Sequence, residues 1–440
     1  MIGHWTVPRP SAWAIELAAF SRVLSCGLAA AAGLFWFRPD DQFSQPDKMQ
    51  SRFCFILAFD FLVIGVAVGA TAHAQDQQTK STAATLARRV ADEVQAAIAA
   101  GKLPGCVVLV GSRGRVILRE AYGRRRVEPR SESMTVDTVF DLASLTKPIA
   151  TATSAMILAE RGKLRLDDPV ARYLPQFAAH GKDGVRVEHL LLHTAGLIAD
   201  NPLADYDDGR EQAIERVLSL KPVAPPGVRF IYSDVCFIVL GLLVEHTSGQ
   251  PLDRFASENI FAPLGMHDTS FLPDERLRSR AAPADKRGDK WLVGEVHDPR
   301  AARLGGVAGH AGVFSTADDL AKYARAMLDQ GRYGDRRLLG DETWRRMTRP
   351  QELPAGGRRA LGWDIKSGFS TNRGKRLSDA AFGHGGFTGT SIWIDPANDL
   401  FVIFLSNRLH PDGKGSVNQL AGRIAEIVVE SRPATIDLAR

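Results

Sequence analysis

The sequence predicts an α+β fold: an antiparallel sheet flanked by helices, with a helical insertion in the middle. Three observations predict it. Strand patterns stand near the start of the folded region and return near its end. Between about residues 165 and 350 the pattern changes to helical segments and loops. Short turns rich in Gly, Pro, Asn and Asp join neighbouring strands, as antiparallel hairpins require. Of the 440 residues, 45% are hydrophobic and 24% charged, which is globular composition. The net charge of +5 is mild for this length. No Lys/Arg block with interleaved aromatics occurs, so nucleic acid is not an expected partner.

The N-terminal 75 residues stand apart. Met49-Gln50-Ser51-Arg52 is a short basic start, Phe53 to Ala70 is apolar, and Ala72-His73-Ala74 offers a small-residue cleavage site before Gln75. This pattern predicts a secretory signal peptide over 49–74. Asp60 inside the apolar run costs about 2.5–3.5 kcal/mol at the centre of a membrane span, which favours a cleaved signal over an anchor. Residues 1–48 then read as an overlong start or a membrane-associated leader; the apolar part, Val23 to Phe37, is short for a span. The expectation is an exported domain, periplasmic or secreted, over 75–440. The alternative is anchoring through residues 1–75, and membrane contact is expected only then.

The elements of 75–440 follow in order. Thr82 to Ala100 places Leu86, Val90, Val94 and Ile98 on one helical face, and Gly101 stops it. Cys106 to Val110 and Val116 to Ala121 read as strands joined at Gly111-Ser112-Arg113-Gly114. Ser144-Leu145-Thr146-Lys147 then begins a helix. Pro148 is tolerated in its first turn, Ile149, Ala152, Met156 and Ala159 form an apolar stripe, and Gly162 ends it. Strands are predicted at Leu361 to Ile365, Ser391 to Ile394 and Leu400 to Leu405, with a turn at 395–399. Ser416 is the expected cap of a last helix carrying Leu420, Ile424, Ile427 and Val428 inward.

The chemistry starts from Ser144 and Lys147. Three residues apart on one helix, the ammonium can reach the hydroxyl, and a serine needs such a neighbour to act as a nucleophile. A helix N-terminus also favours an oxyanion. Tyr232, in Tyr232-Ser233-Asp234 at the head of an apolar helix, could shuttle protons beside Lys147. In Gly383-His384-Gly385-Gly386-Phe387 the glycines let a substrate lie along the backbone, and the N–H groups can complete an oxyanion hole.

The order S-L-T-K, Y-S-D, H-G-G resembles the serine β-lactamase and penicillin-binding-protein superfamily, nearest its class C-like branch of β-lactamases, DD-peptidases and esterases. Leu190 to Leu197, Val239 to Glu245, Pro263 to Thr269 and Phe314 to Leu320 extend the resemblance over about 82–431. Gly294 to Arg300 with Leu304 to Gly312 is similar to a sub-branch of muramyl-peptide amidases and DD-carboxypeptidase-like proteins. The resemblance implies a β-lactamase/transpeptidase-like fold and a serine hydrolase. Ser144 is the implied nucleophile, forming an acyl-enzyme, and Lys147 and Tyr232 share the proton work. The backbone N–H groups of Ser144 and Phe387 form the oxyanion hole, while Asp234, His384, Gly385 and Gly386 contact substrate. No cofactor and no metal are implied. The expected substrate is a small molecule or peptidoglycan fragment, with muropeptide amides first and β-lactams or esters second. A catalytically weak wall-binding or membrane-anchored module is the alternative from another class.

Two departures from the family pattern bear on the substrate. His384 stands where many relatives carry a lysine, so a fixed positive charge for a substrate carboxylate is missing; Arg408 is a substitute cation or an exposed structural arginine. Asp234 replaces a common Asn: a carboxylate accepts but cannot donate, and it strengthens the ammonium form of Lys147. Tyr232 is therefore the expected immediate base. His189 and His193 are read as structural. His297, Asp298 and His310 are read as substrate contacts, with His310 the site candidate, or as a structural turn, and metal binding ranks third. Cys106 and Cys236 are expected to be buried apolar residues. Without G-x-S-x-G, an α/β-hydrolase elbow is not available.

Overall fold

The computed structural model describes residues 83–431 apart from 355 and 414. The signal-peptide and leader readings fall outside the described residues. Nine strands form one antiparallel sheet: β1 (Gly105–Gly111), β2 (Val116–Arg126), β3 (Glu132–Ser133), β4 (Gln351–Glu352), β5 (Arg358–Arg359), β6 (Asp364–Lys366), β7 (Phe382–Gly386), β8 (Thr390–Asp395) and β9 (Leu400–Ser406). Their spatial order is β4-β5-β6-β7-β8-β9-β1-β2-β3. Early and late strands of the described residues therefore meet inside the sheet, where β1 pairs with β9 from Cys106 opposite Ser406 to Gly111 opposite Phe401.

Central strands buried on both faces read as continuous apolar runs, and β1 and β9 are buried throughout. Alternate residues serve opposite layers. Cys106, Val108 and Val110 face a layer built from α1 (residues 83–99) and the C-terminal helix, with Val90, Val94, Ile424 and Ile427. Val107 and Leu109 face the larger core. That core holds α2 (Thr153–Glu160), α3 (Arg210–Leu218), α4 (Asp234–Ser248), α5 (Ala317–Leu328) and α6 (Asp341–Thr348). The C-terminal helix α7 spans Asn418–Glu430. Although α5 lies within the predicted 165–350 insertion, it packs directly on β1 and β9. No single helix among the described residues is long and apolar enough to cross a membrane.

Three predicted elements are corrected. The strand expected at Leu361 to Ile365 begins only at Asp364, because Ala360 and Trp363 exchange both backbone bonds in a tight turn and Gly362 takes a φ of +81°. Ser416 does not cap the last helix: α7 starts two residues later, and Ser416 Oγ accepts only a long 3.4 Å bond from Asn418 N–H. The helix after Ser144 is irregular. Ala143–Leu145 is a 3₁₀ turn, Lys147–Ala152 a wide π-type turn, and only Thr153–Glu160 is regular. Pro148, lacking an N–H, cannot make the regular bond back to Ser144. The Thr153 hydroxyl instead donates to Pro148 O at 2.8 Å. The predicted stripe is also too narrow, since every residue from Leu145 to Leu158 is buried.

Candidate active site

Ser144 sits on a tightly tied turn. Ala143 before it has a φ of +46°, a left-handed conformation unfavourable for alanine. The buried Asp141 carboxylate holds that turn, accepting the Ala143 N–H at 2.8 Å and the His297 N–H at 2.7 Å. Burial raises the Asp141 carboxyl pKa, and those two N–H bonds work against the rise. From the other side, Thr388 and Thr390 donate their hydroxyls to Asp141 O and Leu142 O. A Cβ on Gly386 would lie 2.4 Å from Leu142 O, so only glycine lets β7 come this close to the Ser144 turn.

Lys147 is fully buried. Its Nζ donates to Ser144 Oγ at 2.8 Å and to His310 O at 3.1 Å, and it lies 2.7 Å from Asp234 Oδ1. Burial disfavours the ammonium, but Asp234 and the adjacent Tyr232 outweigh it and hold the amine above its ordinary range. An ammonium has three donors and no lone pair, so in this state it positions the hydroxyl but cannot take its proton.

Asp234 opens α4. Ser233 caps that helix, accepting the Cys236 N–H at 3.1 Å while donating its own hydroxyl to Ile198 O at 2.6 Å. Just before the cap, the Tyr232 ring is sandwiched between His193 (centroids 4.6 Å) and Phe369 (4.7 Å), with Lys147 Nζ 5.1 Å from its centroid. His193 takes a left-handed backbone (φ +57°), and its Nδ1 accepts the Ser233 N–H at 3.0 Å. His189 Nδ1 accepts the Arg186 N–H at 3.1 Å. Each of these histidines thus serves a backbone donor, and His193 also forms the floor under Tyr232.

The Beta-lactamase family model matches residues 78–426. The chain is 33% identical over 360 residues to the N-acetylmuramyl-L-alanine amidase of Bacillus subtilis, covering 73% of this chain and 81% of that one. It is 33% identical over 344 residues to an Escherichia coli protein provisionally named D-alanyl-D-alanine carboxypeptidase, covering 70% and 79%. The chain belongs to the Beta-lactamase family. Among solved structures, this β-lactamase-family domain superposes on EstCE1, a hydrolase with promiscuous acyltransferase activity, with a TM-score of 0.65 and 26% identity, over 79% of this chain and 99% of that one. A penicillin-binding-protein homologue from Caulobacter crescentus shares the fold at a TM-score of 0.65 and 21% identity, over 79% and 98%. The chain is therefore a hydrolase of the β-lactamase fold.

The remaining predicted residues line this family site unequally. His384 is buried in β7, its Nδ1–H donates to Gly385 O at 2.8 Å, and its ring lies 6.0 Å from Tyr232. Gly385 and Gly386 complete β7, and Phe387 follows it in the turn to β8. The Phe387 side chain is 61% exposed, stacked on His297 (5.5 Å), and covered by the Arg408 guanidinium at 4.8 Å. Arg408 also donates to Gly415 O at 2.8 Å; these contacts fit the structural-arginine reading, with the side chain half-buried rather than exposed. His310 offers Lys147 its carbonyl rather than its ring, and its Nε2 lies 2.9 Å from Asp298 Oδ1. Asp298 also accepts the Ala301 N–H at 2.7 Å, capping a helical turn, which favours the structural-turn reading of this cluster. Burial would raise the Asp298 pKa, but the His310 ring and that N–H hold it well below the usual carboxylate range.

Asp234, Asp298 and His310 bring possible metal-ligand atoms within 4.8 Å of one another. The Lys147 ammonium is already against Asp234, so the set is better satisfied as its counter-charge than as a cation cage. Sequence reasoning missed Asp141, Arg359 and Phe369. Asp141 follows an apolar residue without any motif, and Arg359 and Phe369 become neighbours of Tyr232 only through the sheet.

His193 and His384 carry a testable pH dependence. Burial, then the nearby Arg359 and Lys147 charges, depresses both imidazoles well below their ordinary range. Unfolded histidine titrates near ~6.5. Below that pH the unfolded chain binds more protons, so stability is full above it and falls as pH drops toward the native values. Each histidine contributes at most about 1.4 kcal/mol per pH unit. Melting temperatures between pH 7.5 and 5 should therefore decline, and His384→Asn should flatten the decline. An equal slope in that variant removes His384 as a source.

Proposed function

We propose that the chain is an exported serine hydrolase that cleaves an amide of a cell-wall muropeptide through an acyl-enzyme on Ser144. The observation that carries this reading is the buried Lys147 ammonium, hydrogen-bonded to Ser144 Oγ and His310 O and ion-paired with Asp234, beside the ring of Tyr232. Lys147 orients the hydroxyl, and Tyr232, acting as its phenolate beside that ammonium, accepts the proton and becomes the phenol as Oγ attacks the substrate carbonyl carbon. The N–H groups of Ser144 and Phe387 bind the resulting oxyanion. As the C–N bond breaks, Tyr232 returns the proton to the leaving amine. Water, giving its proton to the Tyr232 phenolate, then attacks the acyl carbon; as the acyl–Oγ bond breaks, the Tyr232 phenol returns that proton to Ser144 Oγ, which releases the acid and restores both groups.

Both named relatives act, by their names, on amide bonds of wall peptides, which supports the substrate class. The Asp234 carboxylate can accept an amide N–H on the substrate. A neutral His384 supplies no fixed charge for a penicillin carboxylate, which weighs against an optimised β-lactamase. The superposition on EstCE1, a hydrolase with promiscuous acyltransferase activity, favours another small acyl donor, for which a p-nitrophenyl ester is the probe, as the second reading.

The test is intact mass after incubation with benzylpenicillin, a p-nitrophenyl ester and purified muropeptides, each beside Ser144→Ala. Muropeptide cleavage that Ser144→Ala abolishes supports the proposal. Ester turnover without muropeptide cleavage supports the second reading. Rapid penicillin loss overturns the argument from His384, and activity unchanged in Ser144→Ala overturns the serine mechanism. The N-terminal residue of the exported protein tests the location: Gln75 is expected, and Met1 or Ile2 would contradict it.

A further inference from the structure

Arg359, in β5, is completely buried, and none of its guanidinium nitrogens has a hydrogen-bond partner among the described residues. The nearest carboxylate, Asp364 Oδ1, lies 3.6 Å from Nη1, outside hydrogen-bond geometry, and the other oxygen of that carboxylate accepts the Ser370 hydroxyl at 2.7 Å. Instead the guanidinium lies against two rings, Phe230 at 5.7 Å and Tyr232 at 5.9 Å. A buried charge without hydrogen bonds is among the costliest features a fold can keep. Well-packed apolar residues would fill this place at lower cost. A guanidinium against an aromatic face is attracted by its π electrons, and more strongly when the ring carries negative charge.

We propose that Arg359 is a positioning residue that acts through Tyr232, holding its ring between His193 and Phe369 and stabilising the negative charge that the phenol oxygen carries during proton transfer. The proposal rests on the reading of Tyr232 as the base. The charged and titratable groups facing this ring are Lys147, His193, His384 and Arg359; Asp234 is ion-paired with Lys147 at 2.7 Å, and Asp364 faces Arg359. Both histidines are neutral, kept so in part by Arg359 itself. Lys147 stays an ammonium throughout, so the acidic limb of activity is assigned to the Tyr232 hydroxyl beside it. Arg359 adds positive charge behind that pair, and Asp364 offsets part of it.

The test uses the full chain with p-nitrophenyl butyrate from pH 5 to 9. Arg359→Met should lower kcat roughly tenfold, with KM within about twofold. It should move the acidic limb up by about half to one pH unit. Arg359→Lys should recover part of both effects. Asp364→Asn should move the limb the opposite way, to lower pH. A limb unmoved in both Arg359→Met and Asp364→Asn overturns the proposal. Should Arg359→Met not fold, Asp364→Asn decides alone: a downward shift supports it, and no shift or an upward one overturns it. In a Tyr232→Phe background, Arg359→Met should cost nothing further. Full activity in Tyr232→Phe alone would overturn the assignment of the base, and this proposal with it. An impaired Tyr232→Phe beside a fully active Arg359→Met would overturn only the role of Arg359.

Discussion

Tyr232→Phe should slow acylation by about 10²–10⁴-fold, the range expected when a positioned general base is lost. The substitution removes one oxygen and keeps the ring that packs between His193 and Phe369. Folding should therefore be unaffected, and the melting temperature should match wild type. Lys147→Met is a different experiment. It also removes the donor that orients Ser144 and leaves Asp234 without its counter-ion, so activity and stability should fall together. Burst kinetics with a p-nitrophenyl ester, alongside thermal melts, separates the two. Near wild-type acylation by Tyr232→Phe, with none by Lys147→Met, would make the lysine the base. That outcome would require Lys147 to lose its proton despite lying 2.7 Å from Asp234.

The second large effect is steric. At Gly309 a Cβ would lie 1.9 Å from Phe237 O, a backbone atom of α4 that cannot step aside. Across the same contact, a Cβ on Gly241 would be 3.0 Å from Gly309 Cα. The Thr151 hydroxyl donates to Gly309 O at 2.7 Å, so the loop is seated between the Ser144 helix and α4. Gly309→Ala must push the loop out, at about 1–3 kcal/mol by analogy with overpacked cores, and Gly309→Val should cost more. Because His310 O receives the Lys147 ammonium, this displacement should also reduce activity below what the melting curve explains. A Gly309→Ala protein with unchanged melting and unchanged kcat would show that the loop relaxes freely.

The parts of the fold that were legible share one property: their pattern is local. β1 and β9 are continuous apolar runs, and α1 shows its period in four residues, Leu86, Val90, Val94 and Ile98. The pairing of β1 with β9 joins residues nearly 300 positions apart in sequence, and it followed from fold class rather than from any residue. The strand at Leu361 was misplaced because Gly362 and the Ala360–Trp363 turn leave no mark in hydrophobicity. The wide turn after Lys147 was hidden for a similar reason: Pro148 announces an irregular start but not its shape.

The site divides in the same way. Ser144, Lys147, Tyr232 and Asp234 stand in short motifs whose spacing has a chemical reason, and the structure brings them together. The residues that hold them were not legible. Asp141 reaches His297 across 156 positions, and Arg359 meets Tyr232 from a different layer. Asp141 is an isolated charge and Arg359 the second of an Arg-Arg pair in sequence, and for both a solvated position is the ordinary expectation. Only the fold reveals that they are enclosed.

The two cysteines of the described chain have a practical consequence. Cys106 and Cys236 are both buried, and burial pushes the thiols up, that of Cys236 to about 12. Neither presents a thiolate to a maleimide near neutral pH. A cysteine introduced at Phe387, whose side chain is 61% exposed at the cleft, would be the reactive one within this domain. An environment-sensitive dye attached there would report cleft occupancy in real time, with little background from the core.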